Sequence, residues 1–297
     1  LKHAVGLAAP HTWPASILPV LLAAAMAMAY EGAFPPLVFV LVLFAAVLLQ
    51  ASVNTINDYY DFVKGNDGVE NSNDPNDAIL VYNNVNPKHV RLLGFSFMAA
   101  ALLLGAYPVH RGGLVTLVIG ICGCLVIVAY SAGKKPISHL PLGEIVSGGV
   151  MGFLITAAVF SALTGYVAVK IFLLSVPLFL GIALIMMTNN ICDIERDIPI
   201  SRRTLPVLLG RRRARVAYLC CAAIWLAAVI ACTAFDFRRG LVLVLPLLAA
   251  AFPVWRRLAR LPYTPDQRER CMGAIVTANV CANAAYIAGI VMHTLRS

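Results

Sequence analysis

The sequence predicts an all-α integral membrane protein, a bundle of about nine transmembrane helices. Three observations predict it. The 297-residue chain is 60% hydrophobic and only 12% charged, with a mean hydropathy of +0.83, more apolar surface than a water-soluble domain can hide. Long apolar windows recur along its whole length. Nine of its fourteen acidic residues lie in two short clusters, each directly after an apolar window. Carboxylates that close to a bilayer are costly, so they usually mark a site.

A bilayer span takes about twenty apolar residues. The first window, 14–30, carries small residues at 25–28 that resemble a signal-cleavage region, but Pro14 and Pro19 interrupt it and its leader is weakly charged. An uncleaved first helix is expected. The second window, 36–56, runs into the first acidic cluster. The third, fourth and fifth cover 90–106, 113–132 and 142–163, and the sixth, 171–188, runs into the second cluster. The seventh covers 214–234, the eighth 241–255 and the ninth 272–292; the eighth is weakest because Pro246 and Pro253 break it. With no long Ser/Pro-rich linker, residues 1–297 read as one domain.

Net charge is +9. With nine spans and an outward first loop, 18 of the 23 Lys and Arg residues fall on the side of the N-terminus and the even-numbered loops. The positive-inside rule puts that side in the cytoplasm and the protein in the cell (inner) membrane. Nucleic acid is not expected as a partner, because the chain has no separate basic domain or aromatic-basic module. The eight cysteines form no disulfide or metal-finger pattern; Cys122, Cys124, Cys220, Cys221, Cys232 and Cys281 lie in apolar windows as small hydrophobes.

Both acidic clusters follow even-numbered spans, so both emerge on one face. The first holds Asp58, Asp61 and Asp67, then Glu70, Asp74 and Asp77; the second holds Asp193, Glu195 and Asp197. Helical spacing aligns Asn54, Asn57, Asp58 and Asp61 on one stripe, and Asn190, Asp193 and Asp197 on another. Asp58 and Asp193 are 135 positions apart, each followed by a polar loop and two more helices, which suggests a duplicated four-helix unit. Carboxylates alone repel a diphosphate. Magnesium bridging a few carboxylates and substrate phosphates removes that repulsion. Lys64, Lys134, Arg202 and Arg203, on the same face, are candidate cations for the diphosphate.

These residues resemble the UbiA superfamily of intramembrane prenyltransferases. Asn57-Asp58-Tyr59-Tyr60-Asp61 is similar to its N-D-x-x-D motif and Asp193-Ile194-Glu195-Arg196-Asp197 to its D-x-x-x-D motif. The naphthoate-prenylating branch is most similar, through the stretches 10–16, 57–67, 130–136 with 141–144, and 203–207. The resemblance implies a helical bundle with a cavity open to the cytoplasm and laterally to lipid. It implies magnesium held by Asp58, Asp61, Asp193 and Asp197, with Asn54, Asn57 and Asn190 in support. Lys134 would contact the diphosphate, Tyr130 the donor's reactive end, and Arg203 would be a second cation for the leaving group. Lys64 and Asp67 belong to the matched first loop. The implied reaction joins a polyprenyl diphosphate to 1,4-dihydroxy-2-naphthoate, with loss of carbon dioxide, on the way to menaquinone.

The chain departs from that pattern in three places. Residues 66–87 contain no Lys or Arg, and Cys192 and Ala9 stand where the branch often has arginine. Glu144 is a candidate for orienting the acceptor or for neutralising Lys134 or Lys135. His11 is a candidate acceptor contact or an interfacial anchor beside Trp13. His89 and His139 read as solvated, Asp74 and Asp77 as loop surface, and Arg211 to Arg213 as topology signals that meet anionic headgroups. Tyr59 and Tyr60 would face a cation or anchor the helix end. Two alternatives stay open: another aromatic or lipid acceptor, and a non-catalytic cation-binding protein or transporter.

Overall fold

Proline and glycine punctuate the apolar runs and set the helix boundaries. The computed structural model describes residues 2–32, 34–66, 79–83 and 85–295, and every regular element among them is helical. The short α1 (Lys2–Leu7) and a 3-10 turn at Pro10–Thr12 lead into α2 (Pro14–Glu31), which starts on proline and stops at Gly32, φ 63°. Proline in the first turn loses no helical bond, and glycine takes the left-handed stop without strain. Next come α3 (Pro36–Val63), the small α4 (Ile79–Tyr82) and α5 (Pro87–Ser131). The following membrane segment joins α6 (Gly143–Ser147), a π-helical stretch (Gly148–Leu154) and α7 (Ile155–Thr164). Then come α8 (Val169–Leu174), α9 (Val176–Cys192), α10 (Ile194–Asp197) and α11 (Leu205–Leu209), with the second acidic cluster just after α9 and in α10. α12 (Arg211–Asp236), α13 (Leu241–Ala250), α14 (Phe252–Arg260) and α15 (Arg268–Leu295) complete the chain.

Among the described residues, six helices are long and apolar enough to cross a membrane, or seven if the pair bent by 48° around Ala251 is one span. This multi-pass count is lower than the nine windows, for two reasons. The third and fourth windows both lie in the 45-residue α5, which is two helices meeting at Gly113, and the sixth falls on α9, only 17 residues long. α5 bends at Gly113, whose φ of 69° and ψ of −156° are outside helical geometry. The bend is held from outside. Ser161 Oγ of α7 donates to the Gly112 carbonyl at 3.0 Å, which replaces a lost helical bond.

The core runs through α2, α7, α9, α12 and α15, where Trp225, Tyr218 and Tyr286 are fully buried together with Tyr263 of the loop before α15. Gly181 lets α9 approach its neighbours: a Cβ there would sit 2.4 Å from Asn279 Nδ2 and 3.0 Å from the Trp225 ring. Tyr286 satisfies its hydroxyl on the Leu174 carbonyl at 3.1 Å, as a buried tyrosine requires. Apolar side chains such as Leu103 and Leu114 instead point outward, 80% and 74% exposed, as a lipid-facing surface does. α3 packs along α5 and α9 along α12 and α15. Those two contacts carry the acidic ends of α3 and α9 to one side of the bundle.

Candidate active site

α3 stays helical to Val63, so its Asn/Asp stripe survives intact. Asn57 Nδ2 and Asn66 Nδ2 each donate to Asp61, to opposite carboxylate oxygens, at 2.9 Å. Asn57 Oδ1 accepts from Ser131 Oγ at 2.8 Å, tying α3 to the end of α5 beside Tyr130. Asn54 Nδ2 donates to Thr12 Oγ1 at 2.8 Å, which holds the turn carrying His11 against α3. Tyr130 itself donates to the Met186 sulfur at 3.2 Å.

The second array is not a continuous stripe. α9 stops at Cys192, and Asp193 caps it with φ −97° and ψ 10°. Asn189, four residues before Asp193 and so on its face of the helix, lines the cavity. Asn190 turns inward, where its Nδ2 donates to Glu144 Oε1 at 2.9 Å. Asp197 has only 3% of its side chain exposed and sits 3.5 Å from Arg202 Nε, with Thr204 Oγ1 donating to it at 3.2 Å. Arg268 reaches in from the start of α15, its Nε 3.1 Å from Asp193 Oδ2 and its Nη2 2.7 Å from Asn189 Oδ1.

A cavity of about 850 Å³ joins these pieces. It collects Asp58, Asp61, Asp193, Asp197, Tyr130, Asn54, Asn57 and His11, and the rest of its wall includes the apolar Val126, Ile127, Val150, Met151 and Ile155. Lys64, Lys134, Asn190, Arg203 and Glu144 lie outside its lining, and Asp67, Asp74 and Asp77 lie outside the described residues. Lys134 and Arg203 are exposed on loops. Lys64 Nζ donates to the Ser131 carbonyl at 2.6 Å. Glu144 is buried with Asn190 as its partner rather than either lysine. His139 is half-buried, not solvated, and burial beside Arg202 and Lys64 lowers its pKa. Tyr59 and Tyr60 stand outside the cavity, with Arg91 5.8 Å and Lys64 5.5 Å from their respective rings.

Spacing did not reveal Arg268 or Asn189. The only signal for Arg268 was parity, which put its loop on the acidic face. Among the described residues, three non-glycine residues adopt left-handed backbone, Ala9 (φ 45°), Ser201 (φ 58°) and Tyr263 (φ 56°). Ala9 lines the cavity, Ser201 precedes Arg202, and Tyr263 lies two residues before Pro265 on the rim. Such conformations cost about 1–3 kcal/mol each and collect where loops are held for a site.

Among the described residues, no three His, Cys, Asp or Glu side chains form a metal cage. The donors nonetheless fit a hard divalent ion. They are carboxylate and amide oxygens on two walls of one cavity, and Asp193 Oδ1 is buried without a hydrogen bond, 3.7 Å from Arg196. Magnesium uses few carboxylates and completes its shell with water and phosphate.

Burial pushes the Asp197 carboxyl up to about 6 despite the opposing pull of Arg202. The folded chain therefore holds a proton that the unfolded chain releases near its ordinary value of 3.8. This contribution is stabilising below that value and is lost as pH rises through about 6. The thermal midpoint of EDTA-treated protein should fall across that window, and Asp197→Asn should flatten the fall. A slope equally steep in the variant would remove Asp197 as its source.

Fold and cavity together define a multi-pass helical membrane protein with an acid-lined, half-apolar chamber. Residues 16–279 match the UbiA prenyltransferase family, and the chain belongs to it. A 1,4-dihydroxy-2-naphthoate octaprenyltransferase of Bacillus subtilis is 33% identical over 208 residues, 70% of this chain and 66% of that protein. The UbiA prenyltransferase domain-containing protein 1 of Danio rerio is 28% identical over 291 residues, 95% of this chain and 82% of its own. Among solved structures, a UbiA homolog from Archaeoglobus fulgidus bound to DMAPP and Mg2+ superposes with a TM-score of 0.65 at 20% identity, covering 96% of this chain and 98% of that one. At that identity the likeness carries the fold.

Proposed function

We propose that this chain transfers a polyprenyl group from polyprenyl diphosphate to 1,4-dihydroxy-2-naphthoate with decarboxylation, in menaquinone biosynthesis. One observation carries the reading: two carboxylate pairs and Tyr130 face a single cavity that also has an apolar wall formed by Val126, Ile127, Val150, Met151 and Ile155. Charged head and hydrocarbon tail are thereby accommodated side by side. The named activity of the Bacillus and Haemophilus influenzae relatives supports the acceptor.

Asp58 and Asp61 on one wall, and Asp193 and Asp197 on the other, are the proposed magnesium ligands. Asn57 holds Asp61 in place, Asn54 supports the site by fixing the turn that carries His11, and Asn190 supports it from the end of α9 with Glu144 as its partner. Bound magnesium would supply charge neutralisation for the departing diphosphate. Arg202 adds positive charge at Asp197, while Lys134 and Arg203 act at the rim, attracting the anionic head. Lys64 fixes the end of α5, and Asp67 is a proposed substrate contact. Tyr130 presents its ring to the allylic carbon, where positive charge develops. The naphthoate ring then attacks that carbon, and its carboxylate leaves as carbon dioxide. His11 contacts the acceptor. We read the chain as one domain of nine spans in the cell membrane, with the cavity facing the cytoplasm.

Purified protein incubated with magnesium, mixed polyprenyl diphosphates and 1,4-dihydroxy-2-naphthoate beside 4-hydroxybenzoate should yield a decarboxylated prenyl-naphthoquinol by mass spectrometry. EDTA should abolish it. Product from 4-hydroxybenzoate alone would overturn the acceptor. Magnesium binding or transport without any consumption of diphosphate would overturn the transferase reading.

A further inference from the structure

We propose that Arg268 is a positioning residue that closes Asp193 in the metal-free protein and transfers to the diphosphate when substrate enters. This rests on the prenyl-transfer reading above. The guanidinium comes from a rigid element: Cys271, Ala274 and Ile275, in the first two turns of α15, are buried, and α15 packs along α9. Its two bonds, to Asp193 Oδ2 and Asn189 Oδ1, span one turn at the end of α9. The side chain remains 26% exposed and lines the cavity. The guanidinium, bonded to Asp193 and Asn189, therefore borders the space the head group would occupy.

A divalent ion seeking Asp193 Oδ2 meets a fixed positive charge already bonded to that oxygen. The nearby charges do not cancel this conflict. Arg196 stands at the other oxygen of Asp193, and Arg202 occupies Asp197; Asp266 and Glu269 line the rim beside Arg268. A diphosphate changes the balance. Its oxygens offer the planar guanidinium a forked, more highly charged acceptor, which releases Asp193 for the metal. Arg268 thus lowers metal affinity in the empty site and raises diphosphate affinity in the filled one, coupling the two binding events.

The test is a pair of affinities measured on the full chain in detergent. Manganese is titrated without diphosphate by electron paramagnetic resonance, and inorganic pyrophosphate is titrated with saturating magnesium by calorimetry. Arg268→Gln should bind manganese several-fold more tightly and pyrophosphate about tenfold more weakly. Arg268→Lys keeps the charge but loses the fork, and should shift both in the same opposite directions by less. It carries the test if the glutamine variant does not fold. Both affinities falling together, or neither moving, would mean a merely structural residue and overturn the proposal. Wild-type protein that binds no pyrophosphate with magnesium would overturn the transferase reading itself.

Discussion

Replacing Asp58 or Asp193 by alanine is expected to lower product formation about a thousandfold or more while leaving a folded, membrane-inserted protein. The two residues stand on opposite walls of one cavity, at the ends of α3 and α9. Each loss removes a proposed metal ligand and the charge neutralisation that the leaving group needs. The fold should survive because both positions are only partly buried and neither belongs to the apolar core. At position 193, Arg268 retains Asn189 as a partner. Turnover is measured by mass spectrometry beside the melting midpoint of each variant. Arg239→Ala, at the far end of α12 from Arg211, should leave turnover nearly unchanged. Full activity in either aspartate variant would remove the metal-clamp assignment.

Gly152→Leu should prevent folded protein from accumulating. Gly152 lies in the π-helical stretch against α9, and a Cβ there would sit 2.5 Å from Phe179 N and 2.6 Å from Phe179 Cα. Those are backbone atoms of a neighbouring helix, so no rotamer change relieves the clash. Overpacking of this kind costs about 3 kcal/mol, and close backbone approach through small residues is what holds membrane helices together. Gly149, in the same stretch, has nothing within 4 Å of its would-be Cβ. Gly149→Ala therefore serves as the matched control, with near-normal yield and melting midpoint by size-exclusion fluorescence. Equal behaviour of the two variants would refute the packing account.

The first array was readable because α3 continues past it. Asn57 and Asp61 are four apart on an unbroken helix and are hydrogen-bonded as that spacing implies. The second array was only half readable, since the same rule applied across the end of α9 selected Asn190 in place of Asn189. No periodicity predicts where a helix stops when the stopping residue, Asp193, is an ordinary polar one. Hydropathy windows found the apolar segments, and the third and fourth correspond to the two helices that meet at Gly113 in α5. At that junction Ser161 of α7 donates to the Gly112 carbonyl, a contact no hydropathy window shows.

Composition and local spacing alone determined the helical membrane class, the family resemblance, and the co-location of the two acidic arrays on one face, because hydropathy and helical period are properties of neighbouring residues. Tertiary structure decided which side chains enter the chamber. It brought Arg268 to Asp193 across 75 positions, turned Asn190 to Glu144, and left Lys134 and Arg203 on exposed loops. Those outcomes depend on how α9 and α15 pack and where α9 ends, and such contacts between distant segments leave no periodic trace in the chain.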